Sequence, residues 1–301
     1  MKIGIDIGGS HVGVGLVDRA GKIILKKEKD LVAALQKKDY NEILINTIVN
    51  LITNILDEVK IDISQIELIG IAVPGTVSDT EIIKAENLHI RNFDIVSEIN
   101  KYFNIPIQLR NDAKCAAVAE KMYGSLEKYE DAVFLTIGTG IGGAVFMGDK
   151  LLKPKQYEGF EIGHMIIKKG GIKCNCGNLG CFERYASIRV LKEKISKLYK
   201  KDISSIELKE ILLNMSKNEK VQRIVEEYID NLSIGLANLI NIFEPEVISI
   251  GGSFVYYKEQ LIDMITLKIK NENLLFNDRS IPKIVTAKLK NDAGIVGSVV
   301  I

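Results

Sequence analysis

Residues 2–17 read KIGIDIGGSHVGVGLV, and residues 132–147 read AVFLTIGTGIGGAVFM. In both stretches apolar and small residues alternate as they do in strands, and a tight turn with glycines interrupts the alternation. Each stretch then continues through a second turn into a third strand-like segment, KIILKKE in one case and KLLK in the other. The repeated pattern predicts two similarly folded halves that face each other across a cleft.

Strand-like and helix-like segments alternate through the rest of the chain. Apolar residues at helical spacing predict a long amphipathic helix over residues 40–60. Buried strands are predicted in IELIGIAVPG, IPIQLRND and VISIGG, residues 183–243 are mostly helical, and DAGIVGSVVI is a terminal helix or strand. Alternation of this kind predicts an α/β protein.

The composition is that of an ordinary soluble globular protein. With 301 residues, of which 47% are hydrophobic and 26% charged, the chain is long enough for two cores. We expect a first domain over residues 1–112, with residues 291–301 a candidate to complete it. A second domain, with a metal-binding loop and a helical region, is expected over residues 113–290.

The charge pattern excludes several partners. The formal net charge is +1 and the lysines and arginines are scattered, so the basic stripe of a nucleic-acid-binding protein is missing. The first ten residues, MKIGIDIGGS, lack the apolar core of a signal peptide, and no stretch approaches the length of a membrane span. We therefore expect a cytoplasmic protein that binds neither nucleic acid nor membrane, and whose thiols stay reduced.

The segment with the most specific chemistry, residues 161–184, reads EIGHMIIKKGGIKCNCGNLGCFER. It places His164, Cys174, Cys176 and Cys181 at a spacing that suits tetrahedral structural zinc, and its glycines allow a short chain to wrap one ion. A site with four protein ligands has no open position, so this zinc would act as a scaffold. The alternative is a flexible loop with buried thiols or a stray disulfide, which a reducing compartment disfavours.

Two glutamates flank these ligands. Glu161 lies one helical turn before His164, and Glu183 lies two residues after Cys181, so a bound metal would fix the two carboxylates relative to each other. Fixed carboxylates suit the hydroxyl groups of a sugar, which need strong hydrogen-bond acceptors. The spacing supports equally well the alternative that the glutamates are solvated or cap a helix.

The two glycine-bearing turns are candidate phosphate sites, because glycine lets backbone N–H groups approach phosphate oxygens closely. Either turn alone is a weak signal, since tight hairpins also favour glycine, but equivalent turns in two similar halves are a stronger one. Neither is a Walker P-loop or a Rossmann fingerprint, because no G-K-[ST] follows and the next element is a strand. The candidate residues are Asp6, Gly8, Gly9 and Ser10 in the first turn and Gly138, Thr139, Gly140 and Gly142 in the second.

Two aspartates lie at the ends of predicted strands. Asp6 is a candidate to hold Mg²⁺ through water, or else it stabilises the turn. Asp112 lies just before a helix and is a candidate general base or the helix N-cap, and by spacing alone the cap is favoured. His11 and His89 lack partners in the sequence and are interpreted as surface or turn residues.

Seven segments are similar, in order and in spacing, to the ROK family of sugar kinases and repressors. They are IDIGGSHVGVGLVD, AVPGTV, RNDAKCAAVAE, LTIGTGIGGAVFMG, GFEIGHM, CNCGNLGCFERYAS and VISIGGS. The resemblance covers nearly the whole chain, and its most specific part is the CxCGxxGCxE element with the upstream Gly-His pair. It implies an actin-like ATPase (ribonuclease-H-like) fold, in which two similar α/β domains bind ATP and sugar in the cleft between them.

The resemblance also implies roles for particular residues. Asp112 would be the catalytic base that takes a proton from the sugar hydroxyl, which reverses the preference for a simple cap. The two glycine turns would bind the phosphates of Mg-ATP, and Gly251 and Gly252 would bind the adenosine. The residues that would bind the sugar are Gly75, Asn111, Glu161, His164 and Glu183, with His164 also a zinc ligand.

Two positions depart from the family pattern. Ser10 stands where threonine is commoner, which keeps a hydroxyl group near the phosphates. Phe160 stands where a glycine often precedes the glutamate, and its bulk is expected to reshape the sugar pocket.

The function implied is that of an ATP-dependent hexose kinase acting on the 6-hydroxyl, with glucose the first candidate. N-acetylmannosamine, fructose, allose and β-glucosides are alternatives that the motifs do not separate. Repressors of the family carry an additional N-terminal DNA-binding module, for which a phosphate turn beginning at residue 6 leaves no room in this sequence. A sugar-sensing regulator without catalysis is disfavoured because the catalytic and binding residues are all present. A homodimer is common in such kinases.

Overall fold

The computed structural model describes residues 1–9, 11–153, 160–276 and 280–300. Ser10, one of the candidate phosphate contacts, lies outside these ranges. The chain divides into two compact units. The first contains Met1–Glu127 and the segment that begins at Asn291, and the second contains Lys128–Leu152 and Phe160–Lys290.

The first unit is built on a five-stranded sheet and a smaller three-stranded one. Its strands are β1 (Lys2–Ile7), β2 (His11–Val17), β3 (Ile23–Asp30), β4 (Leu68–Val73), β5 (Thr76–Val77), β6 (Ile82–Ala85), β7 (Ile90–Phe93) and β8 (Ile107–Asn111). The larger sheet has the order β3-β2-β1-β4-β8. Its first three strands form an antiparallel meander, and β4 and β8 run parallel to β1.

The α-helices described in the first unit are α1 (Tyr40–Val59), α2 (Ile95–Asn100), α3 (Asp112–Tyr123) and, from the end of the chain, α9 (Ala293–Ser298). Helix α1 lies where the apolar spacing predicts it, and its side chains Leu44, Ile48 and Ile52 are fully buried. Each such burial contributes about 1.5–3 kcal/mol relative to an exposed side chain.

The second unit repeats this plan. Its strands are β9 (Ala132–Ile137), β10 (Ile141–Met147), β11 (Lys150–Leu151), β12 (Val247–Gly251) and β13 (Lys283–Thr286), and its helices are α4 (Glu183–Ala186), α5 (Ile188–Tyr199), α6 (Ser205–Leu213), α7 (Glu219–Phe243) and α8 (Lys258–Asn271). The sheet order is β11-β10-β9-β12-β13, again an antiparallel meander followed by two parallel strands. The predicted duplication of the strand and turn pattern is therefore present in the fold.

The C-terminal helix α9 packs into the first unit through glycines. A Cβ at Gly4 or at Gly70 would collide with backbone atoms of α9, and a Cβ at Gly297 would collide with the carbonyl oxygen of Cys115 in α3. The backbone of α9 therefore packs directly against the first sheet on one side and against α3 on the other. The compact unit consequently extends to Glu127, past the boundary predicted after Asp112, and the terminal segment is a helix.

Within the described ranges, no helix is both long and apolar enough to cross a lipid bilayer.

Candidate functional site

In each unit the predicted site residues lie where parallel strands end. Strands β1, β4 and β8 are in parallel register, which brings Asp6, Gly75 and Asn111 to one edge of the first sheet. Strands β9 and β12 are parallel in the second sheet, which brings Gly138 and Gly252 to its corresponding edge. Ligands of α/β proteins bind beyond the carboxyl ends of strands.

Asn111, rather than Asp112, is the N-cap of α3. The Asn111 Oδ1 accepts hydrogen bonds from the backbone N–H groups of Ala113 (3.1 Å) and Lys114 (3.2 Å), and its Nδ2 donates to the carbonyl oxygen of Gly75 (3.0 Å). Asp112 Oδ1 accepts from Ala113 N–H at 2.7 Å. The cap therefore does not require Asp112, whose carboxylate lies at the positive end of the helix dipole.

Asp6 packs against the beginning of α9. A Cβ at Gly294 would lie 2.6 Å from the Asp6 carboxyl carbon, so only glycine leaves room for the carboxylate there. Burial, followed by the negative charge of Asp112, raises the pKa of Asp6 from 3.8 to about 7. The carboxylates of Asp6 and Asp112 repel each other at a site that is partly shielded from water. A divalent cation that prefers oxygen ligands would relieve this repulsion, so the two residues fit Mg²⁺.

The first glycine turn is closed by its own backbone. Gly8 N–H donates to the carbonyl oxygen of His11 at 2.8 Å, and the His11 ring lies against Gly8. Gly9 is exposed, and Asn87 lies beside it. His11 is the first residue of β2, rather than a residue of the turn itself, and its imidazole lines the turn.

The second glycine turn lies beside the segment that follows β12. Gly138 N–H donates to the carbonyl oxygen of Gly140 (3.0 Å), and Gly138 in turn accepts from the N–H of Arg189 in α5 (3.1 Å). A Cβ at Gly138 would lie 3.6 Å from Ser253 Oγ, immediately after the Gly251-Gly252 pair. Gly252 has φ of 70°, a conformation that favours glycine.

The remaining residues of this turn differ in exposure. Thr139 is exposed at the tip, whereas Gly142 already lies in β10, paired with Thr136 of β9. In the second unit the glycine turn and Gly252 therefore lie close together, whereas Gly251 is buried in β12.

The four predicted metal ligands converge. One ligand atom from each of His164, Cys174, Cys176 and Cys181 lies within 4.8 Å of all the others. Cys174 Sγ is 3.6 Å from His164 Nδ1, and Cys176 Sγ is 3.5 Å from Cys181 Sγ. Bonds of about 2.0–2.3 Å to a tetrahedral zinc ion require separations of this size. The cluster can hold a metal ion such as zinc.

The electrostatics of the thiols favour a cation. Burial, together with hydrogen bonds to the neighbouring thiols of Cys176 and Cys174, raises the pKa of Cys181 to about 12. Without a positive charge this thiol would stay protonated at neutral pH, whereas metal ligands are thiolates. A bound cation would supply the missing charge.

Glu161 lies in a sharply turned segment. Phe160 has φ of 52°, in the left-handed region, which costs a residue with a Cβ roughly 1–2 kcal/mol. Glu161 follows with φ of −73° and ψ of 64°, and a short 3-10 helix, Ile162–His164, continues from it. A Cβ at Gly163 would collide with the carbonyl oxygen of Ile141, so this glycine lets the segment pack directly on β10.

Glu183 connects the cysteine cluster with the second glycine turn. Its Oε1 is 3.2 Å from Cys174 Sγ and 3.9 Å from His164 Nδ1. Its Oε2 would be 2.7 Å from a Cβ at Gly140. Glu183 begins α4 but accepts none of the cap hydrogen bonds of that helix, which argues against the capping alternative.

The structure adds residues that the sequence pattern did not single out. They are Asn87 beside the first turn, Arg189 and Ser253 beside the second, and Gly294 against Asp6. Ser253 directly follows the predicted glycine pair, so proximity in sequence was an available signal. Asn87, Arg189 and Gly294 come from segments distant in sequence, and no motif around them indicates that they lie at the site.

Comparisons with known proteins agree with this arrangement. A sequence profile of the ROK family matches residues 2–301. The chain is 29% identical to the glucokinase of Thermotoga maritima, over 98% of this chain and 95% of that protein. It is 28% identical to the xylose repressor of Caldicellulosiruptor bescii, over 99% of this chain and 76% of the repressor.

Solved structures share the fold. The crystal structure of a ROK family glucokinase from Streptomyces griseus, in complex with glucose and AMPPNP, matches with a TM-score of 0.81 and 25% identity, covering 99% of this chain and 97% of that one. This likeness confirms the predicted actin-like ATPase fold.

Proposed function

The chain belongs to the ROK family, and from that premise we propose that it is a sugar kinase, transferring the γ-phosphoryl group of Mg-ATP to the 6-hydroxyl of a hexose. Glucose is the first candidate, because both the glucokinase of Thermotoga maritima and the glucose-bound kinase of Streptomyces griseus resemble this chain over nearly its whole length.

The observation that carries the proposal is the placement of Asp112. It lies at the end of a parallel strand, close enough to Asp6 to raise the pKa of that residue, while Asn111 makes the helix cap. The Asp112 carboxylate accepts a hydrogen bond from Ala113 N–H, and its remaining lone pairs can accept the proton of a sugar hydroxyl. The neighbouring Asn111 is fixed by three hydrogen bonds and can orient the same sugar.

In the proposed reaction the sugar oxygen attacks the γ-phosphorus in line with the leaving group. Asp112 accepts the hydroxyl proton, the new O–P bond forms, and the bond to the β-phosphate oxygen breaks to release ADP. Backbone N–H groups of the two glycine turns would bind the phosphates. Mg²⁺, held through Asp6, would supply neutralisation of the phosphate charge, and the protein contributes mainly positioning.

We assign the sugar contacts of the second unit to Glu161, His164 and Glu183. In this proposal the His164 and cysteine cluster would hold zinc, which would fix the His164 ring, whose Nδ1 lies 3.9 Å from Glu183 Oε1. With four protein ligands this zinc would have no open position, so its role would be structural. We also propose that the protein is a homodimer, which sedimentation analysis would test.

A sugar-responsive regulator is the second candidate, favoured by the likeness to the xylose repressor. The experiment that separates the two is a coupled ADP-release assay with Mg-ATP and a panel of sugars: glucose, N-acetylmannosamine, fructose, allose, xylose and a β-glucoside. A kinase turns over at least one hexose, and kcat/KM ranks the candidates. Sugar binding by calorimetry with no ADP release above background would contradict the kinase and support the regulator.

A further inference from the structure

Phe160 adopts a backbone conformation that its residue type disfavours. Its φ of 52° lies in the left-handed region, where a Cβ crowds the backbone and glycine is the usual occupant. Such conformations persist only where surrounding contacts hold them, and they concentrate at functional sites. Here the residue immediately precedes Glu161, a proposed sugar contact.

This left-handed residue sets the path of the next three residues. Ile162 N–H donates to the carbonyl oxygen of Phe160 at 2.7 Å, which makes Glu161 the centre of an inverse γ-turn. His164 N–H then donates to the carbonyl oxygen of Glu161 at 2.9 Å. The two consecutive bonds fix the Glu161 backbone relative to His164.

The ring of Phe160 is what anchors the strained turn. It packs against Phe243, the last residue of α7, with ring centroids 6.4 Å apart and planes inclined by 59°. Both rings pack on the core of the second unit. Tilted aromatic pairs at this distance are attractive beyond the apolar area they bury, so the contact opposes relaxation of the backbone.

The direction of Glu161 depends on this anchor because its side chain has no other support. The residue is exposed, and its carboxylate makes no hydrogen bond or ion pair with any residue in the described part of the chain. Glu183, by contrast, contacts Cys174 and the second glycine turn. The backbone therefore sets the direction in which the Glu161 side chain leaves the chain.

We propose that Phe160 is a positioning residue of the sugar site: its ring, seated on Phe243, holds the left-handed turn that directs Glu161 toward a sugar hydroxyl. Phe160 has this role only if Glu161 binds sugar, as proposed above. Packing of the ring then stabilises the left-handed conformation at residue 160. A glycine at this position could adopt the same conformation without a supporting contact.

Replacement of Phe160 separates this role from ordinary packing. Phe160→Ala removes the ring but keeps the Cβ that disfavours the turn, so the KM for sugar should rise roughly tenfold while the KM for ATP and zinc content stay unchanged. Phe160→Gly removes the ring but permits the turn, so the KM for sugar should stay within about threefold of wild type. If Phe160 served only the core, glycine would be at least as harmful as alanine.

Two further variants complete the test. Phe243→Ala should raise the KM for sugar in the wild-type background but have little effect when residue 160 is already glycine. Lys200→Gly relieves a left-handed residue at the end of α5, and should leave the KM for sugar unchanged. Equal effects of alanine and glycine at 160, or no effect of either, would overturn the proposal.

Crystal structures of the variants test the positioning role without any measurement of activity. In a crystal structure of Phe160→Ala, the hydrogen bond from Ile162 to residue 160 should be lost, and in Phe160→Gly it should be kept; retention in both variants would refute the positioning role. If wild-type protein phosphorylates no sugar, the kinase proposal fails by itself, and these crystal structures still test whether the ring holds the turn.

Discussion

The Glu183 carboxylate lies directly against Gly140. A Cβ at position 140 would be 2.7 Å from Glu183 Oε2, while the other carboxylate oxygen lies 3.2 Å from Cys174 Sγ. One side chain thus contacts both the cluster of His164 and three cysteines and the second glycine turn, within a single unit of the protein. The absence of a side chain at Gly140 therefore leaves room for the Glu183 carboxylate, in addition to any phosphate that the turn binds.

This contact predicts the effect of Gly140→Ala. The new methyl group would displace the flexible end of Glu183 rather than backbone, so the free energy of unfolding should fall by less than about 1 kcal/mol. The displaced carboxylate should raise the KM for sugar several-fold in steady-state kinetics. Gly143→Ala is the contrasting variant, because its Cβ would lie 2.7 Å from the backbone oxygen of Phe134. It should lose about 1–3 kcal/mol in denaturant unfolding. An unchanged KM for sugar in Gly140→Ala would contradict the predicted displacement.

Asp112→Asn should abolish most turnover. Asparagine retains an oxygen that can accept from Ala113 N–H and the cap made by Asn111 is untouched, so stability and sugar affinity should change little. Loss of the base should lower kcat by about 10²–10⁴-fold. Sugar affinity is measured by calorimetry and turnover by ADP release. Asp79→Asn, an exposed aspartate near Arg110, is the control and should leave kcat as in wild type.

Cys176→Ser should remove the metal. Loss of one of four ligands leaves an incomplete tetrahedral site, so zinc content should fall from about one equivalent toward zero and the melting temperature should drop by about 5 °C or more. Sugar affinity should fall with it, because His164 and Glu183 lose their common support. Cys115→Ala, at a buried cysteine outside the cluster, should keep full zinc content by elemental analysis. Wild-type protein that contains no metal would refute the zinc assignment.

The raised pKa of Asp6 predicts a pH dependence of stability in metal-free buffer. Because the pKa is 3.8 in the unfolded chain and about 7 in the folded protein, the folded state retains a proton that the unfolded state has released between these values. Stability therefore falls as pH rises from 4 to 7. Asn at position 6 has no titrating proton, so the free energy of unfolding of Asp6→Asn should not fall in this way. The variant should therefore become more stable relative to wild type as pH rises from 4 to 7. The difference should be a few kcal/mol at most, since one pKa unit is about 1.4 kcal/mol.

Glu207 supplies a control of opposite sign. Hydrogen bonds from Lys201, then from Ser204, lower its pKa from 4.5 to about 2. Its contribution is present above pH 4.5 and is lost as pH falls through 2, so Glu207→Gln should be less stable than wild type at neutral pH and converge with it in acid. Chemical denaturation at a series of pH values measures both variants, and parallel curves for wild type and Asp6→Asn would contradict the Asp6 assignment.

The sequence alone determined the features that depend on near neighbours. Alternating apolar residues around glycine turns predicted the duplicated meander, because strand periodicity is a local property. The spacing of one histidine and three cysteines predicted a metal cluster, because the ligands lie on one short glycine-containing segment. The family likeness then supplied the fold.

Only the tertiary structure decided relations between distant segments. It brought Asn111 to the carbonyl oxygen of Gly75, it placed Gly294 of the last helix against Asp6, and it packed Phe160 on Phe243. Each depends on which backbones approach closely enough to exclude a methyl group or to accept a ring. Such approaches follow from packing the whole unit, and no local pattern of residue types encodes them.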